Sequence, residues 1–241
     1  MTTPPTTRAR RRMGVEERRR QLTAVALELF SRNPPDDVSI DDIASAAGIS
    51  RPLVYHYFPG KQSLYEAAVS IAARELASRF VEPREGPLSR RLLRVMHRYF
   101  DFVADHGPGF SALLRGGSTV GSPQAGAVID EVRQTAQGEV LAQLAADAPG
   151  PQLRLVVRSW VGLAETTALA WLEERSLPRR ALETQLVHEF MALAAVTAVH
   201  DEETAEVVRG IVDSEPHDGP LGDLVSGLLA LLPRPLGMPR T

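Results

Sequence analysis

Cysteine is absent from the 241-residue chain, and lysine occurs once, at Lys61. The first absence excludes a disulfide framework, a thiolate nucleophile and zinc–thiolate ligation, and it fits a reducing compartment. The second reads as the codon bias of a GC-rich genome, not as function. No run of about 18 consecutive apolar residues occurs, and the arginines near the start lead into no apolar segment, so neither a membrane span nor a signal peptide is expected. A cytoplasmic protein is the expectation. Signatures of catalysis are missing too: there is no Gly-x-Ser-x-Gly, no phosphate-binding Gly-rich loop and no metal-ligand spacing. His97, Asp101 and Asp105 fall on one helical face with His106 near, which reads as a solvated face and not as a metal site. The sequence therefore points to no enzyme, no cofactor and no metal, while 44% hydrophobic content is ample for a packed core.

What is present is unevenly spread. The formal net charge of −3 divides into +3 over residues 1–61 and −6 over the remainder. Arg8, Arg10, Arg11, Arg12, Arg18, Arg19 and Arg20 crowd the start, opposed only by Glu16 and Glu17. Such a run is an electrostatic footprint for phosphate. Standing alone it equally describes a solvated tail, and it gains meaning only from the helices next to it in the chain.

Residues 1–14 are Thr/Pro/Arg-rich without periodicity and read as a disordered arm. A helix is predicted from Val15, with Leu22, Val25, Ala26, Leu29 and Phe30 on one stripe and Asn33-Pro34-Pro35 as its stop. Ser39 followed by Asp42 forms a capping-box-like start for a second, short helix whose buried face is Ile40, Ile43, Ala44 and Ala47. Gly48 can take the left-handed conformation that ends it, and Ile49 can plug the angle to the next helix. Ser50 is expected to cap that third helix, with Pro52 tolerated in its first turn. Two short helices joined by a tight Gly-containing turn make a helix-turn-helix over Ser39 to Phe58, whose second helix enters the DNA major groove.

At this point the chain resembles the TetR family of bacterial repressors. The likeness is dense over residues 16–69. It rests on the helix Leu22 to Phe30, on Ser39-Ile40-Asp41-Asp42-Ile43-Ala44, on Ala47-Gly48-Ile49-Ser50, and on Leu53-Val54-Tyr55-His56-Tyr57-Phe58 followed by Lys61 and Leu64-Tyr65. The resemblance implies an all-α protein with a three-helix DNA-binding head at residues 15–60. A linking helix follows at 61–82 and changes tilt when ligand binds, and a larger helical ligand-binding and dimerisation bundle spans 83–200. Residues 201–241 form a C-terminal helical extension that the family pattern does not explain.

The body reads as helices only: Leu88 to Asp105, ended by Gly107-Pro108-Gly109; Phe110 to Leu114; Gln124 to Ala146; Leu153 to Glu174; and Arg180 to His200. The short Ser176-Leu177-Pro178 link makes the last two an antiparallel hairpin. By resemblance, helices 153–174 and 180–200 pair with their twins in a homodimer. Their apolar residues Val157, Trp160, Val161, Ala164, Ala168, Trp171, Leu172, Leu182, Leu186, Phe190 and Leu193 exceed what one core face requires. Beyond them, Asp201 to Val212 is predicted helical. Leu221, Leu224, Val225, Leu228, Leu229 and Leu232 form an i, i+3, i+4 stripe, which could pack on its own body, extend a dimer or dock a protein partner; self-packing is favoured.

Candidate DNA contacts are Arg51, Pro52, Leu53, Tyr55, His56 and Tyr57. Arg51 suits guanine or phosphate, the tyrosine hydroxyls suit phosphate, and Pro52 and Leu53 suit thymine methyls. Val54 and Phe58 are expected in the core of the head. Ser39 and Lys61, at helix starts, suit backbone contacts. Arg10, Arg11 and Arg12 suit an adjacent minor groove. For an unidentified small, apolar or amphipathic ligand, the lining candidates are Tyr99, Phe100, Phe102, Phe110, Leu114, Trp160, Glu165 and Thr166. The expected partners are thus operator DNA, a second copy and that ligand. The rival reading is a regulator or activator controlled by a protein partner at the tail.

Overall fold

A computed structural model describes residues 14–114, 123–144 and 149–231, and every regular element among them is helical. Helix α1 (Val15–Arg32) buries Leu22, Ala26 and Phe30. It stops where the Asn33 amide and side chain both donate to Leu29 O at 3.0 Å. After a 3-10 turn at Pro35–Asp37 comes α2 (Ile40–Ala47). Its start is the reciprocal cap expected from the sequence: the Asp42 amide donates to Ser39 Oγ at 3.1 Å, and the Ser39 amide to Asp42 Oδ2 at 2.8 Å. Gly48 ends it at φ 65°, a left-handed conformation that costs other residues about 1–2 kcal/mol.

Helix α3 (Arg51–Tyr57) comes next, but the Ser50 side chain makes no capping bond. The Ser50 carbonyl accepts from the Leu53 and Val54 amides instead, and Pro52 has no N–H, so fewer donors await a cap. Helix α4 (Lys61–Phe80) is shared between two cores. Leu64, Tyr65, Ala68 and Val69 pack with α1 to α3 around Ile43, Val54 and Phe58, whereas Leu76 and Phe80 join the body. Arg19 closes the head: its guanidinium lies 4.4 Å from the Phe58 ring centre and donates to Tyr57 O at 2.5 Å. Arg18 binds Gln21 at 2.6 Å, so part of the arginine run has partners within the head.

The body comprises α5 (Leu88–Asp105), α6 (Gly107–Leu114), α7 (Pro123–Gln143), α8 (Pro151–Glu174) and α9 (Arg179–Ala198). Gly107-Pro108-Gly109 does not separate α5 from α6, because α6 begins at Gly107 itself, where Pro is tolerated in a first turn. The α8–α9 hairpin is pinned by Trp160 Nε1 donating to Leu186 O at 2.7 Å. Its apolar set requires a correction. Val157, Trp160, Val161, Ala164, Ala168, Leu182, Leu186 and Phe190 are buried within the one subunit, and Trp171, Leu172 and Leu193 pack against the same core. The reason is that α5, α7 and α10 (Glu202–Ser214) cover these faces. What remains outward is a different set: Leu155, Val196 and Val199, among the small residues Gly162, Ala170, Ala192 and Ala195.

Helix α10, capped by Asp201, packs on α9, and α11 (Pro220–Leu231) touches α9 and α5. Self-packing of the last stripe is only half realised. Leu221 and Leu224 lean on the core, but Val225, Leu228, Leu229 and Leu231 stay 47–80% exposed; Leu232 lies outside the described residues. No helix among them is long and apolar enough to cross a membrane.

Candidate nucleic-acid interface and effector cavity

The residues expected to meet DNA gather on the outer side of α3. Arg51, Pro52 and His56 are exposed, Tyr55 is 41% exposed, and Leu53 and Tyr57 are half-buried. Val54 and Phe58 turn inward at 0% and 2%, which a helical period of 3.6 requires of positions four apart. Tyr55 is thus no core residue. Arg51 is held in place: its guanidinium donates to Asp41 Oδ2 at 3.0 Å and to the Tyr55 hydroxyl at 3.4 Å. Those contacts, the Tyr55 bond foremost and then Asp41, raise the pKa of Arg51, so a permanent cation stands at the N-terminal end of α3.

Ser39 is exposed but already committed to Asp42. The hydrogen bonds from Ser39, side chain first and backbone second, hold the Asp42 carboxyl below its ordinary value. Lys61 Nζ donates to Asp36 O at 3.0 Å, tying the start of α4 to the turn before α2. Arg10, Arg11 and Arg12 lie outside the described residues. The arrangement brings one fixed guanidinium, two tyrosines and a histidine together on α3, with Ser39 at the start of α2 and Lys61 at the start of α4.

A second feature lies inside: a cavity of about 120 Å³ between head and body. Of the residues expected to line it, Tyr99, Phe102, Phe110, Leu114, Trp160 and Glu165 do so. Phe100 does not; it is fully buried on the other side of α5, 5.5 Å from the Trp171 ring. Thr166 is exposed and donates to Gly162 O at 3.0 Å. Each is the chain neighbour of a lining residue, and one helical step of about 100° swings it out of the wall.

The sequence missed the rest of the wall. Leu27 and Phe30 of α1 and Tyr65, Ala68, Leu76 and Phe80 of α4 contribute one side, and Val132, Arg133 and Val140 of α7 another. The α7 signal was present as an apolar stripe, but which element it faces is a tertiary property. The polar part of the wall is concentrated. Arg133 donates from Nε and Nη2 to both oxygens of Glu165 at 2.9–3.1 Å and from Nη1 to Asp130 at 3.0 Å. Nearby, the Tyr99 hydroxyl is buried without a hydrogen-bond partner, a state that costs about 1–3 kcal/mol. Burial, reinforced by the Glu165 charge, raises its pKa far above that of a free phenol, so it is a neutral donor.

His97, Asp101, Asp105 and His106 form no metal cluster among the described residues. His97 and Asp101 instead join Arg179 and the buried Glu183 in an ion network between α5 and α9, with Arg179 to Asp101 at 2.7 Å and to Glu183 at 2.5 Å.

This architecture is found in known proteins. Residues 22–68 match the domain described as bacterial regulatory proteins, tetR family, and residues 88–193 the tetracyclin repressor-like C-terminal domain. The crystal structure of a tetR-family transcriptional regulator from Streptomyces coelicolor is 65% identical and superposes with a TM-score of 0.88, covering 91% of this chain and 99% of that one. The transcriptional regulator BetI of Cronobacter sakazakii is 28% identical over 190 residues, covering 74% of this chain and 93% of that protein. The transcriptional activator FasR of Mycolicibacterium smegmatis is 25% identical over 165 residues, covering 67% and 75%. With a helix-turn-helix head on a helical body, and likeness over nearly its whole length to a solved regulator, the chain belongs to the TetR family of DNA-binding transcriptional regulators, which are not enzymes.

Proposed function

We propose that the protein is a homodimeric repressor released from a pseudo-palindromic operator by a small apolar or amphipathic ligand. The observation that carries this reading is the shared wall of the cavity. Leu27 and Phe30 of α1 belong to the head, while Tyr99, Phe110 and Trp160 belong to the body, and α4 runs between them. A molecule that fills the cavity touches both units at once and biases the tilt of α4. Release then requires that it bind the DNA-incompetent state more tightly, because equal affinity shifts nothing.

In this reading Arg51, Pro52, Leu53, Tyr55, His56 and Tyr57 read bases and nearby phosphates, and Ser39 and Lys61 hold the backbone. Two heads reach half-sites about one helical turn or more apart. The outward face of α8 and α9, with Leu155, Val196 and Val199 exposed, supports pairing of two subunits, since small residues around them let helices approach closely. The test is selection of bound DNA from a random pool at stated salt. A two-fold symmetric site is expected; no enrichment over non-specific DNA overturns the reading.

The exposed part of α11 favours a second reading, in which a protein partner docks on Val225, Leu228 and Leu229 and replaces the small molecule, in repression or activation. Substituting those three residues by Ser separates the two: loss of regulation in the cell with unchanged operator affinity in vitro supports the partner.

A further inference from the structure

Three side-chain polar atoms among the described residues are buried without a partner, and of these only the Tyr99 hydroxyl belongs to the cavity wall. Several other polar groups of the wall are committed. Ser31 donates to Leu27 O, and Gln143 is taken by Arg91 and by Glu82 O. His106 turns Nδ1 to Phe102 O at 3.1 Å and Nε2 towards Glu75 at 3.9 Å. Arg133, the one arginine of the wall, is already matched by both Glu165 and Asp130. Glu139 also lines the cavity, and at Arg133 two carboxylates, Glu165 and Asp130, already hold one guanidinium.

We infer that the cavity selects uncharged amphipathic molecules, with an apolar body and one carbonyl or hydroxyl oxygen that accepts from the Tyr99 hydroxyl, and that it rejects carboxylates. This rests on the proposed ligand role of the cavity and names the ligand's chemistry. An anionic head group would have to displace Glu165 from a three-bond contact with Arg133, or sit beside it, where like charges repel. A neutral oxygen needs no such exchange. It supplies the missing acceptor for Tyr99, and the remaining wall of Leu76, Met96, Val132 and Trp160 takes a hydrocarbon body.

Four probes of nearly equal size test this by calorimetry on the full chain: nonane, 2-nonanone, 1-nonanol and octanoate, with octylammonium as a fifth. The ketone and alcohol are expected to bind the unaltered protein at least about tenfold more tightly than octanoate, the equivalent of one hydrogen-bonded group left unpaired. Tyr99→Phe, which keeps the ring, should weaken ketone and alcohol by about tenfold and leave nonane within about twofold. Equal weakening of all probes makes Tyr99 a packing residue and overturns the assignment. So does octanoate or octylammonium binding as tightly as the ketone, although the cavity then still stands as a ligand site. If no probe binds, the ligand reading falls with it. The comparison among probes on the unaltered protein needs no variant to fold.

Discussion

Glu215 caps the helix that begins near Ser89: the Ser89 amide donates to Glu215 Oε1 at 2.8 Å and its hydroxyl to Oε2 at 2.5 Å, across 126 positions of sequence. Both residues are buried. A carboxylate at the first turn of α5 satisfies donors that have no partner within the helix and sits at the positive end of its dipole. The segment after α10 is therefore built into the body. Glu215→Ala should lower stability by about 1–3 kcal/mol, read as a lower urea midpoint at unchanged m-value. Truncation after Gly219, which removes only α11 and the residues beyond it, should cost far less. If the truncation costs as much as the substitution, the cap is not what anchors the tail.

A second buried carboxylate sets a pH dependence. Glu82, between α4 and α5, accepts from Arg94 Nε at 2.7 Å and lies 2.7 Å from Arg98 Nη2. Burial alone would raise its pKa, but the hydrogen bonds from Arg98 and Arg94 outweigh burial and hold it below the ordinary carboxylate value. Because the folded-state value is the lower one, the stability it contributes is complete above the unfolded value of about 4.3 and is lost as pH falls through the folded value. Glu82→Gln should therefore lower the urea midpoint at neutral pH and flatten its decline below about pH 5. Parallel curves for the two proteins, differing by a constant, would show that Glu82 does not titrate in this way.

The head was legible because its determinants are local. Ser39 with Asp42, Gly48 at φ 65° and the inward pair Val54 and Phe58 each act within one or two helical turns, where side-chain type and spacing decide the conformation. Ser50 shows the limit of that logic, since Pro52 had already removed a donor from the turn it was expected to cap. What escaped was pairing between distant elements. Arg19 looked like one of seven arginines for phosphate, yet it packs on Phe58; Arg133 and Glu165 are 32 residues apart and meet only when α7 lies along α8. For α8 and α9 the surplus of apolar residues was read as a subunit interface because the covering helices α5, α7 and α10 could not be counted from composition.

Arg51 and Lys61 separate base reading from backbone holding. Arg51→Ala should weaken binding to the selected operator by about 1–3 kcal/mol and relax preference at one base pair. Asp41→Asn, which removes the partner 3.0 Å from the Arg51 guanidinium, should tighten non-specific DNA binding by about two- to fivefold at low salt, since it deletes a negative charge beside the phosphates. Lys61→Gln should leave the selected sequence unchanged and reduce the slope of log affinity against log salt by about 0.9 if it neutralises one phosphate. An unchanged slope would confine Lys61 to its contact with Asp36.

Gly109 is where the body touches the head backbone to backbone. A Cβ at this position would lie 2.5 Å from Phe30 O and 3.3 Å from its carbonyl carbon, and neither atom can rotate away. Phe30, Gly109 and Phe110 all line the cavity, so α6 and the end of α1 meet at the wall that a ligand would press on. Gly109→Ala must part α6 from α1 by several tenths of an ångström or more, at a cost of about 1–3 kcal/mol, and it should change operator affinity without touching the recognition helix. Gly107→Ala is the control in the same helix, because the atom it approaches, at 3.0 Å, is the mobile Cδ2 of Leu172. Urea midpoints and operator affinities of the two variants decide the point: a selective change in operator affinity for Gly109→Ala makes this contact part of the coupling between cavity and DNA, while equal behaviour of the two variants confines it to packing.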